Sequence, residues 1–396
     1  MSHHAVHAPH KPVHDKPTVV SYFTVSMWSW FCYGLGAMLA FLAVEQETPP
    51  WVSGLHGTAL AAGGVLGALA APYMNNRFGR GAVTRIGSLG AAVCVILFVV
   101  PVPAPLWTLA WVFVACIFGN LLVVGVNAFI GIRQGVAAPA AFTESAALNS
   151  LMGLLAPLAI GIAAATASAN VFGWRWGVLL GAFGFFVVEL VRGRNVRRFG
   201  APGEVATKKS SGSLPMVTYW AIGATMCYIG AEFCISLWGV QLIEERTGLS
   251  PAAAAAGLST FLGGYFVGRL IGSGLARRVD VELLLRIAMS VGLVFFFITW
   301  LAESPWMLLP MFFLSGLVLS LVFPLCLSRV IRSAGGRTDR ATSIQLAGTT
   351  AAIGIAPFVL GGLAGSMSVH TAFLLVPALI LVALVLVIAR PIPDAD

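Results

Sequence analysis

Two stretches of the sequence, GGVLGALAAPYMNNRFGR at residues 63–80 and GYFVGRLIGSGLARR at residues 264–278, follow the same pattern. In each stretch, three small residues spaced four apart are followed by a basic cluster. The offset of about two hundred residues divides the chain into two similar halves. Such a duplication in a hydrophobic chain is typical of two helical bundles that move around a central site. The two trios are Gly63, Gly67 and Ala71, and Gly264, Gly268 and Gly272.

The composition places most of this chain in lipid. Apolar residues make up 58% of it and charged residues 10%, and the mean hydropathy is +0.91, far from the values of soluble domains. Because about 20 apolar residues cross the hydrocarbon core, we predict an all-α polytopic membrane protein with twelve transmembrane helices in two pseudo-symmetric six-helix bundles. The predicted spans are residues 20–44, 52–73, 82–101, 106–132, 142–167, 174–192, 216–243, 251–276, 281–302, 306–331, 341–366 and 369–390.

These spans define the domain organisation. We predict a disordered, His-rich cytoplasmic tail at residues 1–19 and an N-terminal bundle at residues 20–192. A cytoplasmic linker at residues 193–214, a C-terminal bundle at residues 215–390 and a short cytoplasmic tail at residues 391–396 complete the chain. The first apolar run is too long for the hydrophobic region of a signal peptide, so we expect the first helix itself to direct membrane insertion.

Lysine and arginine indicate the orientation, because positive residues near span ends stay on the cytoplasmic side. With both termini in the cytoplasm, all of the 23 lysines and arginines lie inside except Arg175, Arg246 and Arg269. We therefore predict a multi-pass protein of the cell membrane, the inner membrane in a bacterium. The same asymmetry explains the net charge of +8 and gives no reason to expect a nucleic-acid partner.

No motif in the sequence predicts a metal site or a cofactor. The six cysteines lie inside predicted spans without metal-like spacing, which is typical of small packing residues. Most of the histidines crowd the N-terminal tail, where the spacing defines no ligand geometry. An enzyme would need an embedded nucleophile, metal or carboxylate pair, and the sequence contains no HExxH, CxxC or GxSxG element.

Glu232 is the one acidic residue near the middle of a predicted span. A charge at that depth is unfavourable by several kcal/mol unless it faces water or a partner. Tyr228 and Ser236 lie four residues to either side, so the three side chains share one face of the helix. We predict that Glu232 is a site of proton coupling. The alternative is a hydrogen-bonded glutamate that only joins helices.

Arg269 is the second charge inside a span. Its guanidinium stays protonated and needs an anionic or carbonyl partner. At about 1.5 Å per residue, Arg269 and Glu232 differ in height by roughly 10 Å, and we place the solute in that gap. A planar guanidinium suits a carboxylate, a phosphate or a hydroxyl-rich group. The alternative role is a structural clamp to backbone carbonyls or to Glu144.

Further polar and aromatic side chains recur on single faces of predicted helices. Asn120 and Asn127 are seven residues apart, and Gln345 and Thr349 four apart, so each pair lies on one face. Neutral amides bind hydroxyl groups without requiring a charge, and aromatic rings add flat apolar walls. Each of these residues alone could instead serve helix packing. The predicted substrate-binding residues are Tyr33, Asn120, Asn127, Asn149, Tyr228, Trp238, Tyr265, Arg269, Gln345 and Thr349.

Two prolines occupy matching positions in the halves. Pro157 and Pro357 are each followed four residues later by a glycine, Gly161 or Gly361. We expect them to bend corresponding helices. Bent helices could provide compliance for the opening and closing of a cavity, although packing alone could explain them.

Across essentially all twelve spans, the chain resembles the major facilitator superfamily. NRFGR at residues 76–80 is similar to the superfamily's cytoplasmic loop signature, Asp-Arg-x-Gly-Arg, with an asparagine in place of the acid. The matching turn, GLARR at residues 274–278, has an arginine at the acid position, and Asp280 is displaced from it. The resemblance implies that these turns latch one conformation of the transport cycle. The residues that would take part in this gating are Asn76, Arg77, Arg80, Arg277 and Arg278.

Several segments resemble the fucose permease-like branch of sugar–proton symporters. They are YIGAE at residues 228–232 with Trp238, Gly268-Arg269, VNA at residues 126–128 and FPL at residues 323–325. The resemblance implies transport of a sugar together with protons. Symporters of that branch use further acids in the amino-terminal half, whereas spans 1 and 4 here contain none near mid-membrane.

The sequence therefore predicts a secondary active transporter that moves a small polar organic solute, sugar-like or another metabolite, by alternating access. Proton coupling is assigned to Glu232. An organic-anion carrier or a drug or metabolite exporter of the same superfamily is the alternative, and a non-transporting membrane sensor is the alternative from another class. We expect a monomer whose partners are a small-molecule substrate, protons and membrane lipid.

Overall fold

The computed structural model describes residues 12–166, 172–200, 213–275 and 279–391. Within these ranges the chain is all-α, apart from turns and two short 3-10 helices at Gly135–Ala137 and Val196–Phe199. The α-helices are α1 (Lys16–Glu45), α2 (Pro50–Phe78), α3 (Arg80–Phe98), α4 (Pro105–Gln134), α5 (Ala138–Thr166), α6 (Arg175–Arg192), α7 (Met216–Thr247), α8 (Pro251–Leu275), α9 (Val281–Leu301), α10 (Pro305–Leu319), α11 (Val322–Ser333), α12 (Thr338–Ala364), α13 (Val369–Ala372) and α14 (Leu375–Ala389).

The twelve predicted spans are confirmed as twelve transmembrane helices in two bundles. Eleven segments of the described chain are long and apolar enough to cross a membrane, with α10 and α11 forming one span and α13 and α14 another. The sixth helix, α6, has 18 residues and includes Arg175, Glu189 and Arg192. It packs against α1, α3 and α5 in the position of the sixth span. Its three charged residues explain why it is not among the eleven.

The repeated small residues make the same contact in both halves. A Cβ atom on Gly63 of α2 would lie 2.1 Å from the carbonyl oxygen of Phe113 on α4, and one on Gly264 of α8 would lie 2.0 Å from that of Phe313 on α10. The next turn repeats the contact, with Gly67 and Gly268 against the carbonyls of Ile117 and Leu317. The duplication seen in the sequence is therefore a duplicated crossing of two helices at backbone distance.

Replacing Gly264 with alanine is expected to destabilise the second bundle by about 1–3 kcal/mol, because the new methyl group forces α8 away from α10. The matched control is Gly362→Ala on α12, where an added Cβ meets no atom within 4 Å. Both variants gain helix propensity, so the difference between their melting temperatures in detergent isolates the packing effect. Equal melting temperatures would contradict the close crossing.

The two bundles meet near the α1–α2 and α7–α8 turns. There the Thr58 hydroxyl of α2 donates to the Gly354 carbonyl of α12 over 3.0 Å. A Cβ atom on Gly54 would lie 2.9 Å from the Cα atom of Phe358, and one on Gly161 of α5 would lie 2.6 Å from the carbonyl oxygen of Ala252 on α8. We call these two contacts, α2 with α12 and α5 with α8, the closed seam. They are equivalent under the internal duplication.

The prolines of the repeat lie inside long helices, Pro157 in α5 and Pro357 in α12. Each is followed by a glycine at a contact between elements. Gly161 belongs to the closed seam, and a Cβ on Gly361 would meet the Pro50 carbonyl and the Trp238 ring. The predicted bending of the two helices stays a prediction, but their position beside the seam suits a conformational role.

The predicted span at residues 306–331 is interrupted, which sequence hydropathy did not indicate. Helix α10 ends at Leu319 and α11 begins at Val322. Pro324 has no N–H to donate to the carbonyl of Ser320, four residues earlier. The Ser320 hydroxyl in addition donates to the carbonyl of Leu317 over 2.8 Å. The helix therefore breaks at the level of the cavity described below.

The first helix starts before residue 20, so part of the predicted tail at residues 1–19 is helical. The Asp15 carboxylate accepts a hydrogen bond from the N–H of Thr18 over 3.1 Å and caps α1 at Lys16. Val13 pairs through its N–H and carbonyl groups with the side chain of Gln134, at 2.9 and 3.0 Å. Residues 1–11 of the predicted tail, residues 201–212 of the predicted linker and residues 392–396 lie outside the described part of the chain.

Candidate functional site

A cavity of about 560 Å³ lies between the two bundles, on the side of the closed seam that is nearer the chain termini. Helices α1 and α5 form one side of it, and α8, α9 and α11 form the other, together with the break between α10 and α11. Its volume is in the range of pockets that hold small organic ligands. The lining residues are Ser29, Tyr33, Phe142, Thr143, Ala146, Asn149, Arg269, Gly272, Leu284, Ser320, Leu321, Phe323, Pro324, Leu325 and Leu327.

The two sides of the cavity differ in chemistry. The side from α1 and α5 carries hydroxyl and amide groups, and Arg269 of α8 adjoins it; we call these residues the polar wall. The side from α9 to α11 is mostly aliphatic and aromatic, and we call it the apolar wall. The polar wall consists of Ser29, Tyr33, Thr143, Asn149 and Arg269, and the apolar wall of Leu284, Leu321, Phe323, Pro324, Leu325 and Leu327.

Arg269 is the charged side chain among the residues that line this cavity. Its Nη1 donates to the Ser150 hydroxyl of α5 over 2.7 Å, a bond from the second bundle to the first. Its guanidinium carbon lies 5.0 Å from the centre of the Tyr265 ring, a cation–π geometry. The alternative partner Glu144 is instead bonded to His14 at 2.7 Å and to the Tyr22 hydroxyl at 3.2 Å.

Glu232 lies directly behind the polar wall and is only 5% exposed. The phenol groups of Tyr33, Tyr228 and Tyr265 lie close to its carboxyl group. Its charge also interacts with that of Arg269, although among the described residues no direct ion pair joins the two. Tyr33 and Tyr265 lie close to both Glu232 and Arg269, and the Tyr265 ring is within cation–π distance of the guanidinium.

The phenol groups connect this cluster to the helix break. The hydroxyl of Tyr228 is hydrogen-bonded to that of Tyr265 and donates to the carbonyl of Leu319 over 2.6 Å. Leu319 is the last residue of α10, where carbonyl groups lose their partners within the helix. The break thus supplies an acceptor that fixes the orientation of Tyr228. We call Tyr33, Tyr228, Glu232, Tyr265 and Arg269 the central cluster.

The other predicted binding residues have different positions. Asn149 lines the cavity, and its side-chain amide oxygen accepts a hydrogen bond of 2.8 Å from the Ser26 hydroxyl. Asn120 and Asn127 of α4 do not contribute to the lining: Asn120 donates to the carbonyl of Cys116 over 3.1 Å, and Asn127 is exposed elsewhere. The role of these two asparagines in binding is untested.

Trp238, Gln345 and Thr349 are buried and also lie outside the lining. The indole N–H of Trp238 donates to the carbonyl of Pro357 over 3.1 Å, which ties α7 to α12. The Gln345 amide donates to the Thr225 hydroxyl over 3.4 Å, and its Oε1 has no partner in the described part of the chain. In this conformation the three side chains support the packing of the second bundle.

In the described part of the chain, the turn between α2 and α3 contacts the start of the linker, where the Gly81 N–H donates to the Gly200 carbonyl over 3.3 Å. Gly79 has a φ of 84°, a backbone conformation that favours glycine. Arg80 is buried against Gly200, whereas Asn76 and Arg77 are exposed. The Arg77 guanidinium donates to the Tyr73 hydroxyl over 2.9 Å. Arg277 and Arg278 of the matching turn lie outside the described residues.

Several cavity residues were missed from the sequence. Phe142 and Ala146 recur at helical spacing with Asn149 on α5, so extending the face of Asn149 towards the start of that helix would have found them. Ser150, the partner of Arg269, gave no such signal, because a serine inside an apolar helix is common.

Solved structures with the same arrangement of helices are transporters. The chain aligns with the nucleoside transporter NupG at a TM-score of 0.71 and 12% identity, covering 95% of this chain and 98% of that one. It aligns with a variant of the E. coli fucose:proton symporter FucP at a TM-score of 0.63 and 16% identity, covering 95% and 100%. At these identities the likeness establishes the fold.

The sequence itself is similar to one family of transporters. A family model described as Major Facilitator Superfamily matches residues 220–396, a little under half of the chain, from within α7 to α14. In that segment the chain is similar to the major facilitator superfamily. A glucose/galactose transporter in two strains of Brucella abortus is 28% identical to this chain over 310 residues, which cover 73% of each chain.

These sequence relatives indicate the class of activity. The protein is a multi-pass membrane transporter of a small molecule rather than an enzyme, and it works by alternating access between its two bundles. The cavity between the bundles and the closed seam on one side of it match this mode of action, in which a central site is exposed to one side of the membrane at a time.

Proposed function

We propose that this transporter carries a sugar or sugar-like solute together with protons, and that Glu232 is the proton site. The observation that carries the proposal is the central cluster, in which a buried carboxyl group lies between three phenols and an arginine that faces the cavity. Ionisable groups inside a membrane are unfavourable without a partner or water, and those that occur commonly mark a pathway for protons or substrate. Tyr33 and Arg269 link Glu232 to whatever occupies the cavity.

The sugar assignment has two supports. The relatives in Brucella abortus are named as glucose/galactose transporters. The polar wall also offers hydroxyl, amide and guanidinium groups, which bind sugar hydroxyls as donors or acceptors. Asn149 and Tyr33 are the neutral members that would orient the sugar ring.

The orientation belongs to the proposal as well. With both termini in the cytoplasm, the cavity is on the cytoplasmic side of the closed seam. Two arginines on the other side have partners there: Arg175 is bonded to Glu45 on α1, and Arg246 to the carbonyl of Ala302 and to Glu303. These ion pairs account for two exceptions to the rule that positive residues remain inside. Asn76, Arg77 and Arg80 then lie in a cytoplasmic turn suited to gating.

Arg269 is placed to transmit the protonation state of Glu232 to the contact between bundles. When Glu232 is protonated, Arg269 is held by the Ser150 hydroxyl of the first bundle. When Glu232 loses its proton, the carboxylate attracts the guanidinium towards its own bundle and weakens the bond to Ser150. Charge interactions between Glu232 and Arg269 are stronger than in water, because Glu232 is buried in protein. Release of the proton would therefore loosen the two bundles and permit the cavity to change sides.

Purified protein in proteoliposomes tests this proposal. We expect D-glucose or D-galactose to accumulate against its gradient when the pH is lower on the side of entry, and labelled sugar to exchange at equal pH. Exchange without accumulation would remove the proton and leave a facilitator. The absence of both, for a folded protein that binds sugar, would favour a non-transporting sensor.

An organic anion is the second candidate substrate, because Arg269 gives the cavity lining a positive charge. The same vesicles distinguish the two candidates when a monocarboxylate such as benzoate is supplied beside each sugar. Uptake of benzoate without uptake of sugar would replace the sugar by an anion.

A further inference from the structure

The chemistry of the cavity walls restricts the shape of the cargo. Sugar hydroxyls can be satisfied on the polar wall, where Tyr33, Asn149 and Arg269 supply donors and acceptors. The apolar wall supplies almost none. Ser320 is the polar side chain beside it, and its hydroxyl already donates to the carbonyl of Leu317. A hydroxyl group placed against Phe323 or its neighbours would lose its bonds to water without replacement.

The cavity is also larger than a sugar bound to the polar wall would fill. Its volume of about 560 Å³ is in the middle of the range for drug-sized ligands, which bury most of their surface against apolar side chains. A free hexose on the polar wall would leave the apolar wall in contact with water. A ligand that removes this apolar surface from water gains affinity in proportion to the area covered.

We propose that the preferred cargo is a glycoside with an apolar aglycone: the sugar ring lies on the polar wall, and the aglycone lies on the apolar wall. This inference rests on the proposed sugar transport and narrows its substrate. Phe323 of the apolar wall and Phe142 of α5, on the opposite side of the cavity, present aromatic rings to the aglycone. The sugar hydroxyls remain within the reach of Arg269 and so of the central cluster.

A nucleoside fits these walls less well than an aryl glycoside does. Both have a sugar and a flat ring, but the edges of a nucleobase carry several donors and acceptors. On the apolar wall of leucine, phenylalanine and proline side chains these groups would stay without partners. The walls therefore select against a polar aglycone rather than for any flat one.

Calorimetry on the purified full-length transporter tests the inference with phenyl β-D-galactopyranoside, D-galactose and uridine, and with phenol as a control for non-specific binding. We expect the phenyl galactoside to bind at least tenfold more tightly than galactose, because burial of a phenyl group supplies that factor. Uridine should bind more weakly than the phenyl galactoside, and phenol should not bind measurably.

Two variants locate the aglycone. Phe323→Ala, with Leu327→Ala as a second variant should the first not fold, is expected to reduce the tenfold advantage of the phenyl galactoside over galactose to less than threefold. Phe183→Ala on α6, a site 66% exposed and away from the cavity, is the matched control and should keep the advantage. Retention of the full advantage in both apolar-wall variants would overturn the inference.

The remaining outcomes separate this inference from the proposed function. Equal affinity for galactose and its phenyl glycoside, or tighter binding of uridine, would overturn the aglycone site and leave sugar transport in place. Binding of neither galactose nor its glycoside, by a protein with a normal melting temperature, would overturn both.

Discussion

Replacing Glu232 with glutamine is expected to abolish the accumulation of substrate driven by a pH gradient. With one proton per substrate, a difference of one pH unit supports about tenfold accumulation, and the variant should fall to equal concentrations on both sides. The glutamine amide keeps the size of the side chain and can still hydrogen-bond to the phenols of Tyr228 and Tyr265, so exchange at equal pH should persist. Uptake into proteoliposomes with and without a gradient measures both quantities.

The matched control is Glu244→Gln, the same chemical change near the C-terminal end of α7 and away from the central cluster. It should retain accumulation. If Glu232→Gln also retains tenfold accumulation, the carboxyl group has no part in coupling, and the central cluster is a structural connection between helices.

Replacing Arg269 with glutamine is expected to lower the transport rate at least a hundredfold. The change leaves the carboxyl group of Glu232 buried without its cationic neighbour, which makes the deprotonated form that the transport cycle requires less favourable. It also removes the bond to Ser150 between the bundles. Initial rates of exchange in proteoliposomes, compared with the melting temperature of the same sample, separate loss of transport from loss of fold.

The double variant Glu232→Gln with Arg269→Gln shows whether the two groups interact. Since glutamine at residue 232 cannot ionise, the second substitution should be less destabilising there than in the wild type, by about 1 kcal/mol or more. Arg246→Gln, at a solvent-facing turn, should reduce transport little and serves as the control. Additive effects of Glu232→Gln and Arg269→Gln would contradict the electrostatic link between the two groups.

The sequence alone singled out the ionisable residues of the candidate site, because charges inside a membrane span are rare. Glu232 and Arg269 stand out because ionisable groups inside a span require partners. Tyr228 follows from Glu232 by helical spacing. The structure groups them with Tyr33 and Tyr265, which were also predicted but for their own chemistry. The small-residue repeat predicted the two bundles because only backbone contact needs glycine at that spacing.

Other features depend on tertiary contacts that no local pattern encodes. Pro324 permits a break between α10 and α11, but Pro157 and Pro357 lie inside continuous helices, so a proline alone does not predict one. The pairing of the Leu319 carbonyl with Tyr228 makes the break favourable here. Asn120 shares a face with Asn127, as predicted. A common face does not determine which neighbour it meets, and Asn120 packs against α2.

The closed seam has a practical consequence for structure determination. At Gly54 and Gly161 the bundles touch through their backbones, so that any larger residue there needs room that exists only after they part. A tryptophan at each position would act as a wedge and shift the population of molecules towards the arrangement with the opposite opening. These two glycines thus mark where a single pair of changes could trap the other half of the transport cycle for imaging.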